Sequence, residues 1–178
     1  MIPITALTLA VSLMGNASPA AKYRPFLTRE VRFVWGKDEP VSTFAAQIRQ
    51  ESGFDEQARS SHAGGLAQFT PATAAWIGGA YPELAGGGMF NWKWAIRALV
   101  RYDRHLHERL PDDERRWELT LRAYNGGLGW IQEEMRACGA RGVECCRRFR
   151  AGISCRENLN YPAVILGKWK PQYAGWDR

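Results

Sequence analysis

The apolar residues of this sequence recur with the period of an α-helix, and no stretch alternates apolar and polar residues for long enough to build a sheet. The longest apolar stripe comprises Ala95, Ala98, Leu99, Tyr102, Leu106 and Leu110. Asn91 can cap this helix at its start and Pro111 ends it, and we expect its other, arginine-rich face to be solvated. The sequence therefore predicts a mainly α fold, with five or six helices around one core.

Glycine, proline and aspartate mark the limits of the other predicted helices. These limits are Pro40 to Gly53, a start near Pro71, Asp112 or Asp113 to Gly126 and Gly127, Leu128 to Met135, and a last helix with Pro162 in its first turn. The helix that starts near Pro71 should carry Ala72, Ala75 and Trp76 on one face. We expect residues 78–88 to form a loop, because their glycines would destabilise any regular element.

The length of 178 residues suits one globular domain, since it can enclose a single core but is too short for two domains and a linker. We place that domain at residues 22–178. The net charge of +6 attracts polyanions, which include nucleic acid, anionic membranes and the bacterial cell wall. No helix-turn-helix, zinc-finger or RNA-binding motif is present, so we do not expect nucleic acid to be the partner.

The first 21 residues form a separate apolar segment without a charged side chain. The run from Ile2 to Met14 is similar to the hydrophobic part of a secretory signal, and Ser18-Pro19-Ala20 offers small residues for cleavage. The Lys or Arg that normally precedes such a run is missing. A cleaved signal, a retained anchor and a segment packed inside a larger assembly therefore all stay open.

Four cysteines lie close together in a segment rich in arginine and glycine, at Cys138, Cys145, Cys146 and Cys155. We expect disulfides in this loop 138–155, because a segment without an apolar core gains most from them. Adjacent Cα atoms are about 3.8 Å apart, too close for a bridge between Cys145 and Cys146, so each should pair outward and two connectivities remain. The segment has no C-x-x-C pair and the histidines are far upstream, so we expect neither a metal nor another cofactor.

One carboxyl group stands out as a candidate acid. Glu51 lies in the last turn of the helix that ends at Gly53, where the partial negative charge of the helix end should raise its pKa. A carboxyl group that is still protonated near neutral pH can act as a general acid. Taken alone, the same residues also fit an ordinary solvated helix end.

Two other segments carry polar groups suited to a ligand cleft. Gly65 belongs to a glycine turn that lets the backbone approach a ligand, and Gln68 follows it with an amide that both donates and accepts hydrogen bonds. Tyr124 and Asn125 place an aromatic ring and an amide at a predicted helix exit. Together with Glu51, these residues could line one cleft.

With these motifs in this order, the chain resembles the catalytic domain of soluble lytic transglycosylases and their goose-type lysozyme relatives. The segments that carry the resemblance are Ile-Arg-Gln-Glu-Ser-Gly-Phe at 48–54, the Gly-Leu-Ala-Gln-Phe-Thr-Pro segment at 65–71, Ala-Tyr-Asn at 123–125, and Glu157 with Tyr161. They are similar to the family's Glu-Ser, Gly-Leu-Met-Gln, Ala-Tyr-Asn and Glu-x-x-x-Tyr motifs and extend over roughly residues 41–166.

The resemblance implies a lysozyme-like fold with a cleft for peptidoglycan glycan strands. In it, Glu51 would protonate the glycosidic oxygen, and Ser52 would support the substrate or the glutamate by hydrogen bonding. Gln68, Tyr124 and Asn125 would line the sugar subsites, and Tyr161 would hold the Glu51 carboxyl. Glu157 is interpreted as structural. Such an enzyme would act in the periplasm or cell envelope, or in a phage virion, as part of a particle or of a secretion apparatus.

Two other functions compete with a lytic transglycosylase. A hydrolytic lysozyme needs a second carboxylate about 5 to 9.5 Å from the acid, and the chain has no Asp or Glu between Glu56 and Glu83, where the far wall of the cleft is expected. With one acid and no base for water, we expect the muramic acid hydroxyl to attack its own anomeric carbon. A non-catalytic structural or glycan-binding component is the other alternative, but it would not need this set of polar residues.

Overall fold

The computed structural model describes residues 19–149 and 152–178, and within them the chain is almost entirely helical. The α-helices are α1 (Arg24–Trp35), α2 (Val41–Ser52), α3 (Pro71–Ala80), α4 (Trp92–His107), α5 (Arg116–Gly126), α6 (Leu128–Cys138), α7 (Gly142–Arg147) and α8 (Gly152–Ala163). Short 3-10 turns span Pro19–Tyr23, Pro82–Leu84 and Lys170–Trp176, and a π-helical turn spans Val164–Trp169. The described residues contain isolated β-bridges but no strand. The mainly α prediction is confirmed, with more helices than expected.

The most buried helix is α2, which carries Glu51. Every residue from Val41 to Ile48 is buried, and the helix packs against α1 and the turns at 164–176. Pro40 precedes its first turn, as predicted. Gly53 ends it in the left-handed conformation (φ 62°), with its amide donating to Arg49 O at 3.1 Å. Glu51 and Ser52 therefore lie, half-buried, at the end of a helix whose first two turns are fixed in the core.

The long helix α4 is capped as predicted, but more of its surface is buried than its sequence indicates. The Asn91 side chain accepts hydrogen bonds from the Lys93 and Trp94 amides. The predicted solvated face is wrong at Arg101, which is only 7% exposed and pairs with Glu30 and Glu83, and at Asp103, which is 0% exposed. The reason is that α1 and α2 cover sides of α4 that a single apolar stripe does not reveal.

Three helix predictions are corrected. Helix α3 continues through Gly78 and Gly79 to Ala80, and it turns Ile77 rather than the Ala72, Ala75 and Trp76 face into the core. Asp112 and Asp113 do not cap α5, because Asp113 lies in the preceding turn and accepts from the Arg115 amide at 2.8 Å. Pro162 lies inside α8 instead of starting a helix, and since it has no amide to donate, the chain widens into a π turn directly afterwards.

The Cys-rich segment is also more ordered than a loop, since it contains α7 and the start of α8. The structure pairs Cys138 with Cys145 and Cys146 with Cys155, with Cα atoms 5.8 and 5.7 Å apart. This is one of the two connectivities left open by the sequence. The bridges join α6 to α7 and α7 to α8.

We expect peptide mapping without reduction to recover the pairs Cys138–Cys145 and Cys146–Cys155 from oxidised protein. Reduction should loosen α8 and lower both thermal stability and lytic activity. Each bridge restricts the unfolded chain and thereby raises the free energy of unfolding by about 2–4 kcal/mol. Four free thiols in fully active native protein would contradict this prediction.

The predicted boundary at residue 22 falls within a helical turn. The turn Pro19–Tyr23 crosses it, and Ala20 is buried in the core. The rest of the apolar segment 1–21 lies outside the described residues. None of the described helices has the length and apolar character that crossing a bilayer requires.

Candidate active site

A cavity of about 230 Å³ opens at the end of α2. Its lining comprises Gln50, Glu51, Asn125, Glu157, Asn160, Tyr161 and Val164. Residues from α2, α5 and α8 thus meet around one carboxyl group, although they are distant in sequence. Of the candidate residues named from the sequence, Glu51, Asn125 and Tyr161 line this cavity directly.

Glu51 has the properties of a protonated acid. Burial raises the pKa of its carboxyl group to about 7, and the negative charge of Glu157 adds to the increase, while the hydrogen bond from Tyr161 acts in the opposite direction. The predicted direction is confirmed, but its main cause is burial and not the helix end on which the sequence prediction rested. Near neutral pH the group can therefore both give up and take back a proton.

Tyr161 holds the acid from the opposite side of the cavity. Its side chain is 6% exposed, and its hydroxyl donates a hydrogen bond to Glu51 Oε1. The two residues are 110 positions apart, so this contact joins α2 to α8. The position of Tyr161 agrees with the role implied by the resemblance, even though the predicted start of its helix is wrong.

Ser52, Gln68 and Tyr124 do not line the cavity, and their described hydrogen bonds go to backbone carbonyl groups instead of Glu51. The Ser52 hydroxyl donates to Leu66 O at 2.8 Å, and the Tyr124 hydroxyl donates to Ala67 O at 2.6 Å. Gln68 Nε2 donates to Gly65 O at 2.9 Å and to Ala58 O at 3.2 Å. All three side chains thus fix the backbone of the glycine turn, which means that the support for Glu51 expected from Ser52 is indirect.

Gly65 is required at the centre of that turn. Its φ of 74° lies in the left-handed region, and a Cβ atom there would overlap the carbonyl oxygen of Met89. Its amide donates to Ala58 O at 2.8 Å, so the strand-like segments around it cannot simply move apart.

We expect Gly65→Ala to lower the free energy of unfolding by about 1–3 kcal/mol, because it combines backbone strain with an overlap. Lytic activity should also fall, since Ser52, the neighbour of Glu51, is hydrogen-bonded to Leu66 O of this turn. Denaturant unfolding and turbidity clearance measure the two effects. Gly79→Ala is the control, because nothing lies within 4 Å of a Cβ at that position. Equal stability of the two variants would contradict the argument.

A buried polar cluster around Arg122, which was not predicted from the sequence, positions Asn125 in the cavity lining. Arg122 is 0% exposed, and its guanidinium donates to Asn158 Oδ1 at 3.0 Å, to Ala140 O at 2.8 Å and to Glu134. Asn158 Nδ2 in turn donates to Asn125 Oδ1 at 3.0 Å. The cluster therefore fixes Asn125 and α8 relative to α5 and α6. Only an unusual charged residue within the apolar face of a helix could have indicated it.

The described residues around this cavity do not form a metal site. Within residues 19–149 and 152–178, no group of His, Cys, Asp and Glu side chains could hold a metal ion. A larger hollow of about 320 Å³ lies at the start of α4, between residues such as Gly87, Lys93 and Arg97. Its one carboxyl group, Glu83, is engaged by Arg101 at 2.7 Å, and none of the motif residues reaches it. The chemistry is therefore assigned to the smaller cavity.

Comparison with known families agrees with this geometry. A family model described as the transglycosylase SLT domain matches residues 35–144, more than half of the chain. The chain belongs to this family. No curated protein and no solved structure matches it significantly.

Membership confirms the recognition made from the motifs and the lysozyme-like, mainly α fold of this SLT domain. It also establishes peptidoglycan as the substrate class and a lytic transglycosylase type of enzyme at the level of the family. The match includes Glu51, the glycine turn and Tyr124 with Asn125, but it ends before α8. The assignment of Tyr161 and Glu157 to the site thus depends on the structure and on the sequence motif.

Proposed function

We propose that this SLT domain is a lytic transglycosylase that cleaves the β-1,4 bond between N-acetylmuramic acid and N-acetylglucosamine and leaves 1,6-anhydromuramyl ends. The main observation in support is the position of Glu51, a buried carboxyl group with a pKa of about 7 that faces a polar cavity and is held by Tyr161. Family membership supports the substrate class.

The reaction needs only one group that changes its protonation state. Glu51 donates its proton to the glycosidic oxygen as the bond to the anomeric carbon breaks, which leaves Glu51 as a carboxylate. The carboxylate then takes the proton of the muramic acid C6 hydroxyl while that oxygen bonds to the anomeric carbon. Glu51 is thereby restored, and no water is consumed.

A hydrolytic lysozyme is the second candidate because Glu157 also lines the cavity. Residues 57–82, the predicted far wall of the cleft, contain no carboxylate. Glu157 reaches the cavity from α8, so the site holds a second acidic side chain. In a hydrolase this group could activate water.

Mass spectrometry of digested peptidoglycan distinguishes the two reactions. We expect muropeptides with anhydro ends, which are lighter by one water than the hydrolytic products. Fragments with reducing ends only would overturn the transglycosylase proposal, and their loss in Glu157→Gln would then identify Glu157 as the base.

We expect the rate of cell-wall lysis to fall above about pH 7, because Glu51 is protonated below its pKa of about 7 and ionised above it. Tyr161→Phe removes the hydrogen bond that lowers this pKa, so its alkaline limb should move to higher pH while its maximal rate falls. A pH–rate profile of both proteins tests this. An alkaline limb that is the same in both would contradict the assigned effect of Tyr161.

Where the enzyme acts is a further part of the proposal. We propose the periplasm or cell envelope, in the service of a secretion apparatus, or a phage particle at entry or lysis. N-terminal sequencing of native protein separates these. Cleavage after Ala20 or Ala21 would indicate export, and an intact Met1 or Ile2 would indicate a virion component or an anchor.

A further inference from the structure

Between α2 and α4, three fully buried side chains have polar atoms without a hydrogen-bond partner in the part of the chain that the structure describes. Thr43, Gln47 and Asp103 are each 0% exposed. Gln47 Nε2 donates to Asp103 Oδ1 at 3.3 Å, whereas Thr43 Oγ1, Gln47 Oε1 and Asp103 Oδ2 are unpaired. Leaving a buried polar atom unpaired destabilises the fold, and a buried water needs two to four polar partners of this kind.

The surroundings of Asp103 favour its neutral form. Among residues 19–149 and 152–178, no Lys, Arg or His forms an ion pair with it, and its one described donor is the Gln47 amide. An ionised carboxylate with a single hydrogen bond would be very costly at this depth. A protonated carboxyl group, in contrast, has a hydrogen to donate from Oδ2, and Gln47 Oε1 and Thr43 Oγ1 are acceptors without a donor.

Thr43 and Gln47, which lie near Asp103 in the core, are on the same helix as Glu51. Thr43, Gln47 and Glu51 are spaced by four residues and so lie along one side of α2. The titratable groups that interact with Asp103 are Glu51 of α2, Tyr102 of its own helix, Tyr124 of α5 and Tyr161 of α8. Burial, and the charge of Glu51, raise the pKa of Asp103 well above its usual range, in agreement with the absence of a cationic partner among the described residues.

We propose that Asp103 is a positioning residue for the reaction: it keeps its proton throughout and, by way of a buried water shared with Gln47 and Thr43, supports the side of α2 that carries Glu51. The inference depends on the proposed role of Glu51. Its consequence is that no second negative charge stands behind Glu51 when that group becomes a carboxylate halfway through the reaction. An ionised Asp103 would oppose that step.

Two variants of Asp103 with side chains of similar size distinguish a positioning role of this residue from a role in packing alone. Asp103→Asn keeps an acceptor and a donor without a charge, so we expect kcat within about twofold of wild type and an unchanged alkaline limb. Asp103→Leu fills the space but cannot donate, so we expect kcat to fall by about tenfold with little change in KM, the size of a lost hydrogen bond. Both are measured on soluble glycan fragments across the pH range.

Three results would overturn the proposal. A shift of the alkaline limb to lower pH in Asp103→Asn would mean that wild-type Asp103 is ionised. A large loss of kcat in Asp103→Asn would mean that a neutral donor is insufficient. Wild-type kcat and pH profile in Asp103→Leu would reduce Asp103 to a structural residue.

An infrared difference spectrum between wild type and Asp103→Asn gives a readout that needs neither activity nor the leucine variant. At a pH where Glu51 is ionised, we expect a carbonyl band of a protonated carboxyl group in wild type that is absent from the asparagine variant. Its absence in wild type would overturn the proposal even if Glu51 is the acid. Activity in Glu51→Gln, in contrast, would overturn the proposed function and leave this band unaffected.

Discussion

Replacing Glu51 with glutamine is expected to leave the fold intact and to remove nearly all lytic activity. The amide preserves the shape of the side chain and can still accept the hydrogen bond from Tyr161. It has no acidic proton for the leaving oxygen, and the loss of a general acid typically lowers the rate by about 10²–10⁴-fold. Turbidity clearance of purified cell walls measures the effect.

Glu133→Gln is the matched control for that variant, because Glu133 is exposed on α6 and is not part of the cavity lining. It should clear walls at the wild-type rate. Circular dichroism should give the same helical signal for both variants. More than a few per cent of wild-type clearance by Glu51→Gln would refute the assignment of Glu51 as the acid.

The second large effect is expected on stability, from Arg122→Ala. Removing the buried guanidinium takes away the ion pair with Glu134 and the hydrogen bond to Asn158 Oδ1. Breaking a buried ion pair from one side typically costs about 3–5 kcal/mol of the free energy of unfolding. We expect urea unfolding to show a loss of this size. Lytic activity should fall as well, because Asn158 also positions Asn125.

Arg104→Ala is the control for the buried arginine, because Arg104 lies on a partly exposed side of α4, where it pairs with Glu108 and covers the Trp35 ring. Exposed pairs contribute about 0–1 kcal/mol, so this variant should unfold near the wild-type midpoint. Similar losses of the free energy of unfolding in Arg104→Ala and Arg122→Ala would show that the buried cluster contributes no more to stability than an exposed ion pair.

The elements that the sequence predicts correctly are those fixed by local interactions. Helix α2 follows from Pro40 and Gly53, and the start of α4 follows from the Asn91 side chain, because caps and turns depend on neighbouring residues. Glu51 could be selected for the same reason, since its position at a helix end is visible in the sequence.

The residues that were missed depend on partners far along the chain. Arg122 and Asp103 are charged residue types that are normally exposed, and the packing of other helices buries them. Proline is common at helix starts, so Pro162 led to the prediction of a helix that begins there and not ten residues earlier. The earlier residues of α8 are held by the Cys146–Cys155 disulfide and by the hydrogen bonds of Asn158. Tertiary contacts of this kind have no local signature.

The contact between Tyr161 and Glu51 has a consequence for biosynthesis. A ribosome releases α2 long before α8, so the emerging chain displays Glu51 at an open helix end until its last helix docks. Without that cover, the carboxyl group is hydrated and returns toward the pKa of an ordinary glutamate, which is ionised at neutral pH. A chain in which α8 has not docked therefore carries the acid in its ionised, inactive form, and lytic competence requires the contact between α8 and α2.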